Sequence, residues 1–207
     1  MNITLIGTGN MGAALARHLT RAGHTLVLTG RNAEKAEALA RATGATFRTG
    51  AVVEGADVVI VATGHADAAR ALGAAGNLAG KVVVDITNPL TADYMGLTLG
   101  HTTSAAEELQ KTFPAARVVK AFNTVFAQVL AEGPQLAGQT VPVLYAGDDA
   151  AAKALVKSLI QSTGFAPVDA GGLKNARYLE PLAGLNIYLG YGAGHGTAIA
   201  PAWIGVR

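Results

Sequence analysis

The 207-residue chain contains no cysteine. That excludes a disulfide framework, thiolate metal ligands and a cysteine nucleophile, and it suits a reducing cytoplasm. Charge is also scarce. Asp, Glu, Lys and Arg make up 14% of the residues, where about 25% is usual. Such a chain has either a large core or an apolar surface that a second subunit covers. A formal net charge of +2 is too small for non-specific binding to a phosphate backbone, so no nucleic-acid partner is expected. No apolar run approaches the roughly 18 residues of a membrane span. The opening MNITLIGTGNMG has no basic segment ahead of an apolar core and does not read as a secretory signal. His18, His24, His65, His101 and His195 show no metal-ligand spacing such as HExxH, and no metal is expected. Neither GxSxG nor a Tyr-x-x-x-Lys pair occurs. Glu107-Glu108 and Asp148-Asp149 read as helix-start charges, so no catalytic residue is assigned.

What is present is alternation. Strands are expected at 2–6, 24–29, 45–49, 57–62 and 81–87, with helices after the first (Ala14, Leu15, Leu19 and Ala22 at helical spacing), at 32–43 and at 65–75. Gly23 and Gly44 suit helix ends. A helix over 103–112, strands at 117–122, 141–147 and 165–170, and a helix from Asp148 or Asp149 to about 162 continue the pattern. Continuous Val/Ile runs mean both sheet faces are covered. The fold class is therefore α/β, a doubly wound parallel sheet of Rossmann type. The C-terminal strands and helices, an extension at about 125–207, pack on the same single domain, 1–207. A last apolar helix starts near Lys174 and meets Pro181. Its Leu179, Leu182, Leu185, Ile187 and Leu189 lie on more than one face, which predicts a homodimer built on it. The tail ends Trp203-Ile204-Gly205-Val206-Arg207.

GTGNMG at 7–12 follows the first strand and opens a helix, the context that makes GxGxxG a dinucleotide turn. Gly7 permits the tight turn, Gly9 lets the backbone approach a pyrophosphate, and Gly12 lets helix and strand pack closely. The free N–H groups of the helix start, with Thr8, Asn10 and Met11 beside them, favour an anion. NAD binders carry Asp or Glu at the end of the second strand. Here that strand ends Thr29-Gly30-Arg31-Asn32. Arg31 suits a 2′-phosphate, and Lys35 lies one helical turn on. The coenzyme expected is NADP.

Ligands of such sheets lie outside the carboxyl ends of the strands. Three segments end there: Thr63-Gly64-His65, Asn88-Pro89 and Ala121-Phe122-Asn123. Thr63, Asn88 and Asn123 suit a carboxamide and a ribose, Gly64 and Pro89 shape the backbone, and His65 is placed to touch coenzyme or substrate. The missing acid–base pair argues against a small hydroxy acid. Hydride passage between two flat rings depends mainly on alignment at about 3–3.5 Å, which favours a deazaflavin or flavin as the second ligand.

GTGNMG, the GRN ending of the second strand, NPL at 88–90, KAFNT at 120–124, PVLYAGDDAAAK and FAPVDAGGLKNARYLEPLA together resemble the NADPH-dependent F420 reductase family (F420H2:NADP oxidoreductases), in order along nearly the whole chain. VVKAFN is also similar to the cytosolic oxidoreductase domain of the six-transmembrane metalloreductases, which uses NADPH and flavin. The resemblance implies direct hydride exchange between NADP(H) and F420. It also implies Thr8, Gly9, Asn10 and Met11 at the pyrophosphate turn, Arg31 and Lys35 on the 2′-phosphate, and Ala121 near the nicotinamide. FMN or FAD is the alternative acceptor. A non-catalytic module that senses NADP(H) is the alternative without chemistry.

Overall fold

Short apolar runs assemble into a sheet because each satisfies its backbone groups against a neighbouring strand. The computed structural model describes residues 1–203 and 205; Ile204, Val206 and Arg207 of the tail lie outside the described residues. Strands β1 (Asn2–Ile6), β2 (Thr25–Thr29), β3 (Thr46–Phe47), β4 (Val58–Val61), β5 (Val82–Asp85) and β6 (Arg117–Ala121) are mutually parallel, in the order β6-β5-β4-β1-β2-β3. The third strand is shorter than the expected 45–49. Alternate residues of each strand serve opposite faces. Ile3, Leu5, Val58 and Ile60 join one buried cluster with Leu15, Leu19 and Leu39. Ile6, Val59 and Val61 join a second with Leu72 and Leu109. Helices α1 (Asn10–Arg21) and α2 (Ala33–Thr43) therefore cover one face, and α3 (His65–Ala74) and α4 (Ala105–Thr112) the other. Asn32 caps α2 by accepting from the Lys35 amide, Ser104 caps α4, and Gly44, at φ +74°, ends α2 in the left-handed form that glycine tolerates.

The second half departs from the all-parallel expectation. Strands β7 (Gln135–Leu136) and β8 (Gln139–Thr140) form a separate small hairpin, and β9 (Pro142–Gly147) runs antiparallel to β6. The reason is where the connection goes. Parallel neighbours need a crossover that returns the chain to the far edge. Between β6 and β9 the chain instead forms α5 (Ala127–Glu132), which packs on α1, and the β7–β8 hairpin. It re-enters the sheet at the carboxyl end of β6, and β9 runs back along that strand. Helix α6 (Ala150–Ser162), capped by Asp149, then returns the chain so that β10 (Ala166–Asp169) pairs parallel to β9. One eight-stranded, mostly parallel sheet results.

The apolar stretch from Lys174 enters as a short 3-10 turn, Leu173–Asn175, becomes α7 (Ala176–Ile187) through Pro181, and leaves as a π-helical turn, Tyr188–Gly192. It buries Ala176, Leu179, Glu180, Ala183 and Asn186 and leaves Tyr178, Leu185 and Tyr188 exposed. Among the described residues, no helix is long and apolar enough to cross a membrane.

Candidate functional site

Two clefts open at the carboxyl ends of the parallel strands. The first, about 520 Å³, lies where β1, β2 and β4 end. Its floor is the glycine turn. Gly7 adopts φ +113° and donates its N–H to the Thr29 carbonyl at 2.8 Å. A β-carbon on Gly7 would stand 2.4 Å from the Ala62 carbonyl oxygen, and one on Gly12 would stand 2.1 Å from that of Gly7. Both glycines therefore serve contact between backbones. Gly9 differs: a β-carbon there would meet nothing within 4 Å, and the residue is exposed at the start of α1. The turn thus presents open backbone N–H groups to the cleft, the cradle an anionic pyrophosphate fits. Thr8 packs against Gly30, whose missing side chain admits it.

The rim of this cleft is cationic. Arg31, Asn32 and Lys35 line it, as do Thr63 and Gly64. Arg70 and Asp67 of α3 line it as well; the sequence reading missed both, although a helix after a glycine-ended strand directs its first turns at the same crevice. Arg70 lies 2.5 Å and Arg31 3.4 Å from the Asp67 carboxylate. The Arg70 hydrogen bond, more than Arg31, holds the Asp67 carboxyl below its usual range. The Asn32 amide oxygen is taken by the Lys35 N–H. Three cations around one open rim, with no carboxylate at the end of β2, fit a phosphomonoester better than a ribose hydroxyl.

The second cleft, about 550 Å³, lies where β5 and β6 end and is mostly apolar. Asn10 and Met11 of the glycine turn form one side, so the two clefts meet at that turn. Asn88 and Asn123, expected together at strand ends, are brought together here. The Asn123 amide donates to Asn88 Oδ1 at 2.9 Å and to the Leu179 carbonyl at 3.0 Å, and the Asn88 amide donates to the Asn123 carbonyl at 2.9 Å. Because carbonyls only accept, these bonds fix which atom is which, and Asn123 Oδ1 faces away from them. That oxygen and the Thr124 hydroxyl oxygen are buried without a protein partner. Both residues line the cleft, while these two oxygens are themselves shielded from solvent.

The walls are apolar and aromatic: Leu90, Tyr94 and Met95 from the loop after β5, Phe126 before α5, and Ile187 and Tyr191 from the end of α7. Phe126 and Tyr191 meet edge to face at 5.8 Å. Two non-glycine residues here hold left-handed backbones, Tyr94 at φ +62° and Phe122 at φ +61°, a conformation bulky residues adopt at a cost. Phe122 bends the chain as it leaves β6, and Asn123 and Thr124 just beyond it line the cleft.

Other expected residues fall elsewhere. Thr63 and Gly64 lie at the first cleft, away from Asn88 and Asn123. His65 begins α3 and lines neither cleft. Pro89 is buried and anchors the following loop, its carbonyl accepting from Thr98. Ala121 is wholly buried in the core and lines neither cleft, because the chain reaches the rim only after the Phe122 turn. Leu90, Tyr94, Met95 and Tyr191 carried no motif. Only their place after a strand end, or at a helix terminus, hinted at them. No metal-binding cluster of His, Asp and Glu occurs among the described residues.

The chain is similar to several known proteins. A family model described as NADP oxidoreductase, coenzyme F420-dependent, matches residues 2–89. The F420-dependent NADP reductase of Methanothermobacter marburgensis is 31% identical over 212 residues, which cover 91% of this chain and 92% of that protein. Rat (Rattus norvegicus) metalloreductase STEAP3 is 32% identical over 180 residues, 87% of this chain. The chain spans only about a third (36%) of the length of that relative. The crystal structure of a candidate F420-dependent NADP reductase from Arthrobacter sp. FB24 superposes with a TM-score of 0.86 at 33% identity, covering 97% of this chain and 99% of that one.

Proposed function

This chain belongs to the family of F420-dependent NADP reductases, NADP-dependent oxidoreductases, and we propose from that membership and from the two clefts that it exchanges a hydride between NADP(H) and the deazaflavin F420. The coenzyme's 2′-phosphate is read at Arg31 and Lys35, with Arg70 beside them, and its pyrophosphate at Gly7–Met11. The nicotinamide then turns into the second cleft, toward Asn88, Asn123 and Thr124. When bound, NADPH supplies the hydride; the chain supplies alignment and a largely apolar, aromatic-walled space. Alignment is the main requirement for transfer between two conjugated rings.

The observation that carries this reading is the meeting of the two clefts at the glycine turn, the second of them mostly apolar and edged by Asn88, Asn123 and Thr124. A cleft of about 550 Å³ is of the size that takes a cofactor-like ligand. Tyr94, Met95, Phe126 and Tyr191 offer surfaces on which a flat ring stacks.

The same reading takes residues 1–207 as one domain, since β9 and β10 continue the sheet. It also takes the protein as a homodimer through the outer face of α7, where Tyr178, Leu185 and Tyr188 are exposed. The test is stopped-flow absorbance of the purified protein with NADPH and F420, FMN or FAD in turn. Rapid oxidation of NADPH by F420 is the expected result. Oxidation by FMN or FAD alone would make the protein a flavin reductase. Saturable NADPH binding with no oxidation by any of them would make it a binding module.

A further inference from the structure

Close to the second cleft, but lining neither cleft, three charged side chains are buried together. Lys120, the fourth residue of β6, has no exposed side-chain surface. Its ammonium lies 2.8 Å from Asp85 Oδ2 on β5 and 2.7 Å from Glu180 Oε1 on α7, and it donates a third bond to the Thr87 carbonyl. Three N–H donors meet three acceptors. The carboxylates are held in turn. Asp85 Oδ1 accepts from the Thr87 amide at 2.9 Å, and Glu180 accepts from the Ala105 and Ala106 amides at 2.9 and 3.3 Å. Those two amides open α4, so the one negative charge in surplus faces a helix N-terminus.

Desolvating three ions is expensive, and an apolar cluster of the same volume stabilises a fold about as well. What the ions add is direction, because a lysine with three fixed acceptors locates three chain segments at once. Each of those segments continues into the second cleft. Thr87 is followed by Asn88, Lys120 stands three residues before Asn123, and Glu180 lies one and two turns ahead of Ala183 and Ile187 on α7. Asn88, Asn123, Ala183 and Ile187 all line the cleft.

We infer that Lys120 is a positioning residue for the ring site: by tying β5, β6 and α7 at one point, it sets the gap between the Asn88–Asn123 pair and the α7 wall. It acts through those residues and touches neither ring. The inference rests on the reading of the second cleft as the place where nicotinamide and acceptor meet.

Two variants test it. Glu180→Gln keeps the shape and removes one charge. The triple variant Asp85→Asn, Lys120→Met, Glu180→Met removes all three charges and leaves no buried ion unpaired. On material shown to be folded by circular dichroism and thermal melting, three quantities are measured: the NADPH dissociation constant, the fluorescence of bound NADPH, and kcat and KM for F420. The dissociation constant is expected to stay within about twofold, because the phosphate contacts lie elsewhere. The emission of bound NADPH shifts toward that of the free coenzyme, and kcat/KM for F420 falls about a hundredfold, the scale of a 1 Å misplacement. A purely structural role would lower the melting temperature and leave emission and acceptor kinetics per folded molecule unchanged; that outcome overturns the inference. The fluorescence readout needs no acceptor. If the wild-type protein binds NADPH but reduces no flat-ring compound, the acceptor reading fails while the emission of the variants still decides the role of Lys120.

Discussion

Across the mouth of the first cleft, Arg31 Nη1 reaches to 3.4 Å from the Asp67 carboxylate, which also holds Arg70 at 2.5 Å. One acid therefore orients two cations and at the same time competes with any phosphate that enters between them. Neutralising it should help the ligand. Asp67→Asn is expected to tighten NADPH binding several-fold at low salt, with the gain shrinking as salt rises. Titration calorimetry at two ionic strengths checks this; weaker binding would mean that the carboxylate contacts the coenzyme directly.

Arg31→Glu should weaken NADPH binding sharply and NADH binding little. Losing a charged hydrogen-bonded contact and gaining a repulsion costs a few kcal/mol. Matched losses for both coenzymes would show that Arg31 does not read the 2′-phosphate.

The two glycines at the ends of GNMG should fail in different ways. Gly9→Ala meets no atom within 4 Å, so its melting temperature should match the wild type while NADPH binding is lost. Gly12→Ala places a β-carbon 2.1 Å from the Gly7 carbonyl oxygen, so the strain of overpacking, about 1–3 kcal/mol, should appear in thermal melting before any ligand is added. Equal melting temperatures would contradict the close contact of β1 and α1.

Acid should loosen α7 from α4. Arg177 grips Glu107 with bonds of 2.7–3.2 Å, and this hydrogen bonding is the main reason the Glu107 carboxyl is held below its usual range. A carboxyl depressed in the folded state contributes stability that is present above its unfolded pKa of about 4.3 and is lost as pH falls through the lower folded value. Urea unfolding below pH 4.5 should show this loss, of about 1–2 kcal/mol, and Glu107→Gln should remove that part of the pH dependence. An unchanged profile in the variant would assign the acid sensitivity to other groups.

If the outer face of α7 joins two copies, a charge placed on it should part them. Leu185, 54% exposed in the single chain, is the position of choice. Leu185→Glu is expected to sediment as a monomer where the wild type sediments as a dimer. A monomeric wild type would remove the dimer from the functional reading.

Much of the first half was legible because each local signal agreed with the global one. The run Asn2–Ile6, the glycine turn and the helix end at Gly44 carry their structure in a few adjacent residues. Asn88 and Asn123 were findable because each follows a strand that must end at the ligand edge. The reversal of β9 was not, since apolar runs look alike in either direction and a run does not show at which edge the preceding connection delivers the chain. The ion cluster joins residues 85, 120 and 180, a constellation made by packing with no sequence spacing to betray it. The burial of the Ala121 side chain was hidden for a related reason: the chain turns left-handed at Phe122, and no propensity scale foresees that conformation in phenylalanine.

The backward course of β9 and β10 gives the molecule a front and a back. The ends of both strands, and the start of α6 with its Lys153–Asp169 contact of 2.7 Å, face the rim remote from the clefts. Changes there are free to alter solubility, lifetime or neighbours while the chemistry at the opposite rim proceeds untouched.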